Sequence, residues 1–217
     1  MTPPIAAIIY DCDGTLVDSE GLNARSFTDL IAADHGLALD PIAVEAEFRG
    51  RRFAEMCDTL ATRHGLQFDP DFVPRYRTHT AQLFEQSLQP IPGVAAAIEA
   101  LGTPRCVASS GPPDKMAVAL RVTGLAGYFG RHVYSAYDID AWKPAPDLFW
   151  HAAAALGVAP AACAVIEDSD AGVEAGRRAG MPVFGFNRAG GIGAHPDADL
   201  TLFTDYADLP GLIAARR

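Results

Sequence analysis

Short apolar stretches alternate with amphipathic helical patterns along most of the chain. Six continuous apolar runs have the length and composition of strands that are buried on both faces. They lie at residues 5–10, 105–110, 132–136, 163–168, 182–186 and 200–203. Between them, apolar residues recur at helical spacing, often with proline at the start or glycine at the end. This alternation predicts an α/β fold with a doubly wound parallel sheet.

Residues 17–89 interrupt this rhythm, because they contain several helical patterns and no convincing strand. One apolar stripe covers residues 53–64 and a second covers residues 73–87. An insertion directly after the first strand lies above the carboxyl end of a parallel sheet, where ligands bind in such folds. The sequence therefore predicts two units, a Rossmann-like core of residues 1–16 and 90–217 and a helical cap of residues 17–89.

Composition narrows the class of function. The formal net charge of −10 argues against a nucleic-acid partner, because a phosphate backbone requires a basic protein face. The four cysteines are scattered without metal or disulfide spacing, which favours a reducing compartment. The N-terminal apolar run ends at an acid after about six residues, too short for a signal peptide or a membrane span. We therefore expect a cytoplasmic protein without nucleic-acid or membrane partners, and no obligate protein partner is evident.

Paired acids follow two of the predicted strands. Asp11 and Asp13 flank Cys12 after the first strand, and alternate residues of an extended chain share one side. Glu167 and Asp168 close the fourth run. Either pair alone could be a turn or a helix cap. Together, carboxylates about 4 Å apart repel by roughly 4 kcal/mol per pair at an effective dielectric near 20, unless a cation lies among them.

The donor types suggest which cation this is. Carboxylate oxygens without a cluster of histidine and cysteine favour Mg²⁺ over zinc. The sequence therefore predicts a magnesium site formed by Asp11, Asp13, Glu167 and Asp168.

Other strand ends carry groups that suit an anion. Ser109 and Ser110 precede a helix, and hydroxyls beside helix N-terminal amides can hold a phosphate, although serine is also a common cap. Gly14 permits a tight turn whose N–H groups can face an anion. Lys143, which with Lys115 makes up all the lysine in the chain, stands in a proline-stiffened loop. A solvated surface lysine is the alternative, but this placement favours a functional cation.

Taken in order, the segments DCDGTLVDSE, VASSG, WKPAPDLF and VIEDSDAG resemble the haloacid dehalogenase-like (HAD) phosphohydrolase superfamily. The resemblance covers nearly the whole chain and is to the branch with a helical cap after the first strand. It implies that Asp11 is the nucleophile, forming an aspartyl-phosphate, and that Asp13 is the general acid and base. It also implies that Ser109 and Lys143 hold the transferring phosphoryl oxygens.

The same resemblance implies how the metal is held. Mg²⁺ would be bound by Asp11, the backbone carbonyl of Asp13 and Asp168, together with Glu167. The expected activity is hydrolysis of a small phosphorylated metabolite, because the overall pattern is similar to sugar-phosphate phosphatases of the 6-phosphogluconate phosphatase type. A β-phosphoglucomutase-like mutase is an alternative, but such enzymes usually have histidine where this chain has Asn23, and a cap lysine that is missing here. A non-catalytic phospho-acceptor domain is a further alternative.

The predicted cap carries a cluster of arginines, Arg49, Arg51 and Arg52, around Gly50. We expect Gly50 to end a cap helix and to begin a loop directed toward the site. An arginine in such a loop can bind a carboxylate bidentately, or hydroxyl groups distant from the phosphate. A solvated charge cluster is the alternative. The expected substrate-binding residues are therefore Gly14, Asn23, Arg49, Arg51, Arg52 and Ser110.

Overall fold

The computed structural model describes residues 3–49, 51–193, 195 and 199–216. Within them, six strands form one sheet with the spatial order β3-β2-β1-β4-β5-β6. The strands are β1 (Ala7–Tyr10), β2 (Arg105–Ser109), β3 (Val133–Ser135), β4 (Cys163–Glu167), β5 (Val183–Phe186) and β6 (Leu200–Phe203).

All neighbouring strands of the sheet are parallel. The chain builds outward from β1 through β2 to β3, and then continues on the other side of β1 with β4. The strand order therefore reverses between β1 and β4, which is where ligands bind in open α/β sheets. The predicted α/β fold with a doubly wound parallel sheet is confirmed, and each strand lies inside one of the six predicted apolar runs.

Helices cover both faces of the sheet and fill the insertion. The helices between β1 and β2 are α1 (Glu20–His35), α2 (Pro41–Phe48), α3 (Phe53–His64), α4 (Phe72–Ser87) and α5 (Val94–Leu101). Those after β2 are α6 (Pro113–Val122), α7 (Ala126–Phe129), α8 (Ala136–Ile139), α9 (Asp147–Leu156), α10 (Asp170–Arg178) and α11 (Leu209–Ala215), with a 3-10 turn at Pro160–Ala162. In the described part of the chain, no helix is both long and apolar enough to cross a membrane.

The alternation of side chains along β1 divides the core into two layers. Ile8 and Tyr10 pack in a cluster with residues of α5, α6 and α11. Ala7 and Ile9 pack in a second cluster with residues of α9 and α10. Because successive strand residues point to opposite faces, a strand covered by helices on both sides must be apolar throughout.

The four helices α1 to α4 have an apolar cluster of their own. Phe27 lies at its centre, and its ring contacts those of Phe53 and Phe72. The two connections between this insertion and the sheet run side by side, because Val17 forms a bridge with Pro90. This arrangement supports the predicted cap at residues 17–89, although its boundaries remain a prediction.

Candidate active site

The acids that follow β1 and β4 meet at the point where the strand order reverses. Asp11 follows the last residue of β1, and Glu167 is the last residue of β4. One carboxylate oxygen from each of Asp11, Glu167 and Asp168 lies within 4.8 Å of the others, and all three residues are buried. The fold thus brings together acids that are far apart in the sequence.

Lys143 supplies a positive charge to this group. Its Nζ atom lies 2.5 Å from Asp11 Oδ1 and 2.5 Å from Glu167 Oε1. Only 8% of the residue is exposed. Burial alone would lower the pKa of Lys143, but the carboxylates of Asp11 and Glu167 raise it. Lys143 is therefore a charged, fixed cation beside the Asp11 carboxylate.

Glu167 holds the loop after β4 through hydrogen bonds that its carboxylate accepts. Its Oε2 atom accepts hydrogen bonds from the backbone N–H of Asp168 at 3.1 Å, the backbone N–H of Ser169 at 3.2 Å and Ser169 Oγ at 3.0 Å. Its other oxygen accepts from Lys143. Gly172 leaves the room that this side chain needs, since a Cβ atom there would lie 1.8 Å from Glu167 Cδ. Both Glu167 oxygens are thus already engaged by the protein.

For Asp11 and Asp168, the other two acids of the group, burial and neighbouring carboxylates outweigh the nearby positive charge. Burial raises the pKa of Asp11 well above its usual range, Lys143 opposes the rise, and Glu167 adds to it. Burial also raises the pKa of Asp168, with further contributions from Glu167 and Asp11. Buried like charges favour the protonated forms unless more positive charge is present. This donor set of buried carboxylate oxygens therefore fits a hard divalent cation.

The Asp13 side chain lies apart from these three acids. Its Oδ1 atom accepts a hydrogen bond from Ser19 Oγ at 2.6 Å and lies 2.8 Å from Lys115 Nζ. Burial alone would raise the pKa of Asp13, but Lys115 and hydrogen bonds from Ser19 and Asn23 lower it. The Asp13 carboxylate thus faces Lys115 rather than the acid group, and coordination through its backbone carbonyl remains a prediction.

The predicted phosphate-holding loop lies next to Asp13. The N–H of Gly111 donates to Ser109 Oγ at 3.1 Å. A Cβ atom at Gly111 would lie 3.3 Å from Asp13 Oδ2 and 3.4 Å from Ser109 Oγ, so these two oxygens border the same space. Gly14 has φ +74° and lies so close to the acid group that a Cβ atom would be 2.2 Å from Asp168 Oδ2. No other residue type fits that position without displacing Asp168.

A cavity of about 470 Å³ separates the helical insertion from these loops. Four of the expected substrate-binding residues line it, namely Asn23, Arg51, Arg52 and Ser110. Asp11, Asp13 and Lys143 also contribute to its wall. The site is therefore a partly open cavity, with charged groups from the sheet on one side and the helical insertion on the other.

The arginines of the insertion have different environments. Arg49 pairs with Glu45 and places Nη1 3.8 Å from Asp168 Oδ2, so it bridges the insertion and the loop after β4. The Arg52 guanidinium lies 4.4 Å from the centroid of a ring of Trp142, the residue that precedes Lys143. The Gly50 turn lies outside the described residues. Sequence reasoning did not separate these roles, and it gave no role to Lys115.

Comparison with known proteins places the chain in a family. A family model described as haloacid dehalogenase-like hydrolase matches residues 5–180. The chain is 37% identical to 6-phosphogluconate phosphatase of Escherichia coli (strain K12), over 98% of this chain and 96% of that protein. It is 30% identical to fructose-1-phosphate phosphatase YqaB of the same organism, over 81% of this chain and 93% of that protein.

Solved structures agree with this assignment. A conserved haloacid dehalogenase-like protein, ATU0790 from Agrobacterium tumefaciens str. C58, is 32% identical, with a TM-score of 0.82 over 98% of this chain and 99% of that one. A HAD family hydrolase from Deinococcus radiodurans R1, crystallised with bound phosphate and sodium, is 33% identical, with a TM-score of 0.77 over 98% of this chain and 96% of that one.

The chain therefore belongs to the haloacid dehalogenase-like hydrolases. Within that family, the expected class of phosphomonoester hydrolase is confirmed by its relatives.

Proposed function

We propose that this chain hydrolyses a small phosphorylated metabolite, a sugar phosphate such as 6-phosphogluconate, with Mg²⁺ and through an aspartyl-phosphate at Asp11. The observation that carries the proposal is the cavity-lining site in which Lys143 Nζ lies 2.5 Å from Asp11 Oδ1 beside two further buried acids. The names of the relatives at 37% and 30% identity support a sugar-phosphate substrate. They also favour a hydrolase over a phosphosugar mutase. The four free cysteines suit a reducing cytoplasm.

The proposed first step is attack of an Asp11 carboxylate oxygen on phosphorus. A carboxylate is a poor nucleophile toward a phosphate ester because two anions must approach each other. Lys143 offsets this repulsion, and Ser109 with the backbone amides of its loop holds the equatorial oxygens. Asp13, which takes up a proton from solvent before this step, gives that proton to the leaving oxygen as the ester P–O bond breaks and the Asp11–phosphorus bond forms. Asp13 then takes a proton from the water that hydrolyses the aspartyl-phosphate.

The proposed Mg²⁺ site uses the acids whose oxygens have fewer protein partners than those of Glu167. Asp11, Asp168 and the backbone carbonyl of Asp13 would hold the ion, whereas Glu167 would fix Lys143 and the loop that carries Asp168. When bound, Mg²⁺ would stabilise negative charge on the phosphoryl oxygens. This assignment differs from the expected four-acid set in the part played by Glu167, whose oxygens already accept hydrogen bonds from protein groups.

Replacement of the nucleophile tests the proposal. The Asp11→Asn variant keeps the size of the side chain but removes the nucleophilic carboxylate, so we expect turnover of every phosphate ester to fall to background. Steady-state assays with p-nitrophenyl phosphate and with 6-phosphogluconate measure this, and circular dichroism with thermal unfolding checks that the variant is folded. A folded variant that retains more than a trace of activity would overturn the assignment of Asp11.

A further inference from the structure

The chain has two lysines, and Lys115, unlike Lys143, has no role in the mechanism proposed above. It lies in the first turn of α6 and lines the cavity, with one fifth of its side chain exposed. Burying an ammonium group is costly unless a partner compensates the lost hydration. Its partner is Asp13, whose Oδ1 atom lies 2.8 Å from Lys115 Nζ. A half-buried cation thus contacts the residue that is proposed to transfer protons.

The two oxygens of Asp13 have different surroundings. Oδ1 is engaged by Lys115 and also accepts from Ser19 Oγ at 2.6 Å. Oδ2 is directed toward the phosphate-holding loop, where a Cβ atom at Gly111 would lie 3.3 Å from it and 3.4 Å from Ser109 Oγ. Only Oδ2 therefore borders the space that the phosphoryl group would occupy.

Two anchors on one oxygen restrict rotation of the carboxylate. Ser19 alone could follow the carboxylate as it turns, because a hydroxyl donor rotates freely about its own bond. Lys115 belongs to a different element, the core helix α6, and its Nζ lies 5.8 Å from the centroid of the Phe84 ring on α4. Contacts to Oδ1 from two separate elements favour one orientation of the Asp13 carboxylate.

We infer that Lys115 is a positioning residue for proton transfer, which together with Ser19 holds Asp13 Oδ1 so that Oδ2 faces the leaving oxygen. This inference rests on the proposed phosphatase activity. The proton moves from Oδ2 to the leaving oxygen as the ester P–O bond breaks and the Asp11–phosphorus bond forms. In the second half, Oδ2 accepts a proton from water as the water oxygen bonds to phosphorus and the Asp11–phosphorus bond breaks.

The test compares two leaving groups in one variant. Lys115→Met removes the cation but keeps a side chain of similar length. For a sugar phosphate, whose alkoxide needs a proton, we expect kcat/KM to fall by about 10²-fold. For 2,4-dinitrophenyl phosphate, whose phenolate leaves without a proton, we expect kcat/KM to fall by less than about threefold. Equal losses for both esters, or no loss for either, would overturn the inference.

The ratio of the two kcat/KM values is the decisive quantity. Both values scale with the amount of folded enzyme, so partial misfolding of the variant leaves their ratio unchanged. Lys115→Arg, which keeps the positive charge, should recover part of the wild-type ratio. Arg121→Met removes a cation from the same helix, where it pairs with Glu85 at the surface, and should leave both values and their ratio at the wild-type level.

The controls separate this inference from the function on which it rests. A wild-type enzyme that hydrolyses neither ester with Mg²⁺ would refute the phosphatase proposal itself. A wild-type enzyme that is active, with an unchanged ratio in Lys115→Met, would refute only the positioning role of Lys115.

Discussion

Each of the two lysines in the chain is paired with one aspartate of the segment after β1. Lys143 contacts Asp11 and Lys115 contacts Asp13. Glu167, Asp168 and Glu20 line the same cavity, so carboxylates outnumber the two ammonium groups in the site. Arg49 compensates only weakly, because its nearest guanidinium nitrogen is 3.8 Å from Asp168. A divalent cation would offset part of this excess negative charge.

Gly14 packs closely against the site at the end of β4. Its φ of +74° disfavours any side chain by about 1–2 kcal/mol, and a Cβ atom would lie 2.2 Å from Asp168 Oδ2. We therefore expect Gly14→Ala to displace Asp168 and lower kcat/KM by about 10²-fold, because small displacements of reacting groups are costly. Steady-state kinetics over a range of Mg²⁺ concentrations measures the effect.

Gly65 provides a matched control for this substitution. It follows α3 with φ +66°, and among the described residues, its chain neighbours aside, no atom lies within 4 Å of the position that its Cβ would occupy. Gly65→Ala should therefore lower the free energy of unfolding by a similar strain while leaving kcat/KM unchanged. If both variants lose activity equally, the loss comes from strain rather than from contact with Asp168.

At the scale of helices and strands, apolar runs and helix-ending glycines predicted the elements whose buried surfaces are apolar. The central strands β1 and β4 are buried throughout and appear in the sequence as unbroken apolar runs. Helix α5 ends at Gly102, which has the left-handed conformation expected at a helix terminus. These features depend on local sequence and on burial from two sides, so they could be predicted without coordinates.

Helix α1 could not be delimited from the sequence for a physical reason. It packs against both α2 and α4, and its buried positions include polar residues. Ser26 is fully buried, and its Oγ accepts a hydrogen bond from Thr80 Oγ1 at 2.9 Å. A buried polar contact between helices breaks the apolar stripe that identifies a helix in sequence.

The same distinction applies to the site. The proximity of Asp11, Lys143 and Glu167 was predictable because the carboxyl ends of parallel strands, and the loops beyond them, meet at one edge of a sheet. The pairing of Lys115 with Asp13 depends on how α6 is rotated against the segment after β1, and no pattern in the sequence predicts that rotation. The different partners of Arg49 and Arg52 likewise follow from the packing of the insertion on the core.

At the scale of the whole molecule, the insertion contacts the core loops that carry the site. Arg52 lies over Trp142, and Arg77 of α4 lies 5.7 Å from the centroid of the Tyr137 ring. The Tyr137 and Trp142 rings are themselves in edge contact, with centroids 5.3 Å apart. These residues line the cavity, so a substrate held there would touch both units.

This arrangement predicts how Arg52 affects substrate choice. A guanidinium stacked on an aromatic face keeps its N–H edge free to bind a carboxylate. We expect Arg52→Ala to raise KM for 6-phosphogluconate by about tenfold or more, and to change KM for p-nitrophenyl phosphate much less. Steady-state kinetics with both esters measures the difference.

Arg75 on α4 is the control for this prediction, because it pairs with Asp34 of α1 and so lacks the aromatic contact with the core loops that Arg52 has. Arg75→Ala should leave both KM values unchanged. Equal increases in KM for the two esters in Arg52→Ala would show that this arginine does not recognise the acidic group.

The central claim is that Asp11 becomes covalently phosphorylated, and the most direct measurement is to locate the phosphoryl group. In Asp13→Asn, 2,4-dinitrophenyl phosphate should still react, whereas hydrolysis of the intermediate should stall without its base. Acid quenching, borohydride reduction and peptide mass spectrometry should then find Asp11 converted to homoserine, in a reaction that requires Mg²⁺. A burst of dinitrophenolate with Asp11 left unmodified would contradict the account.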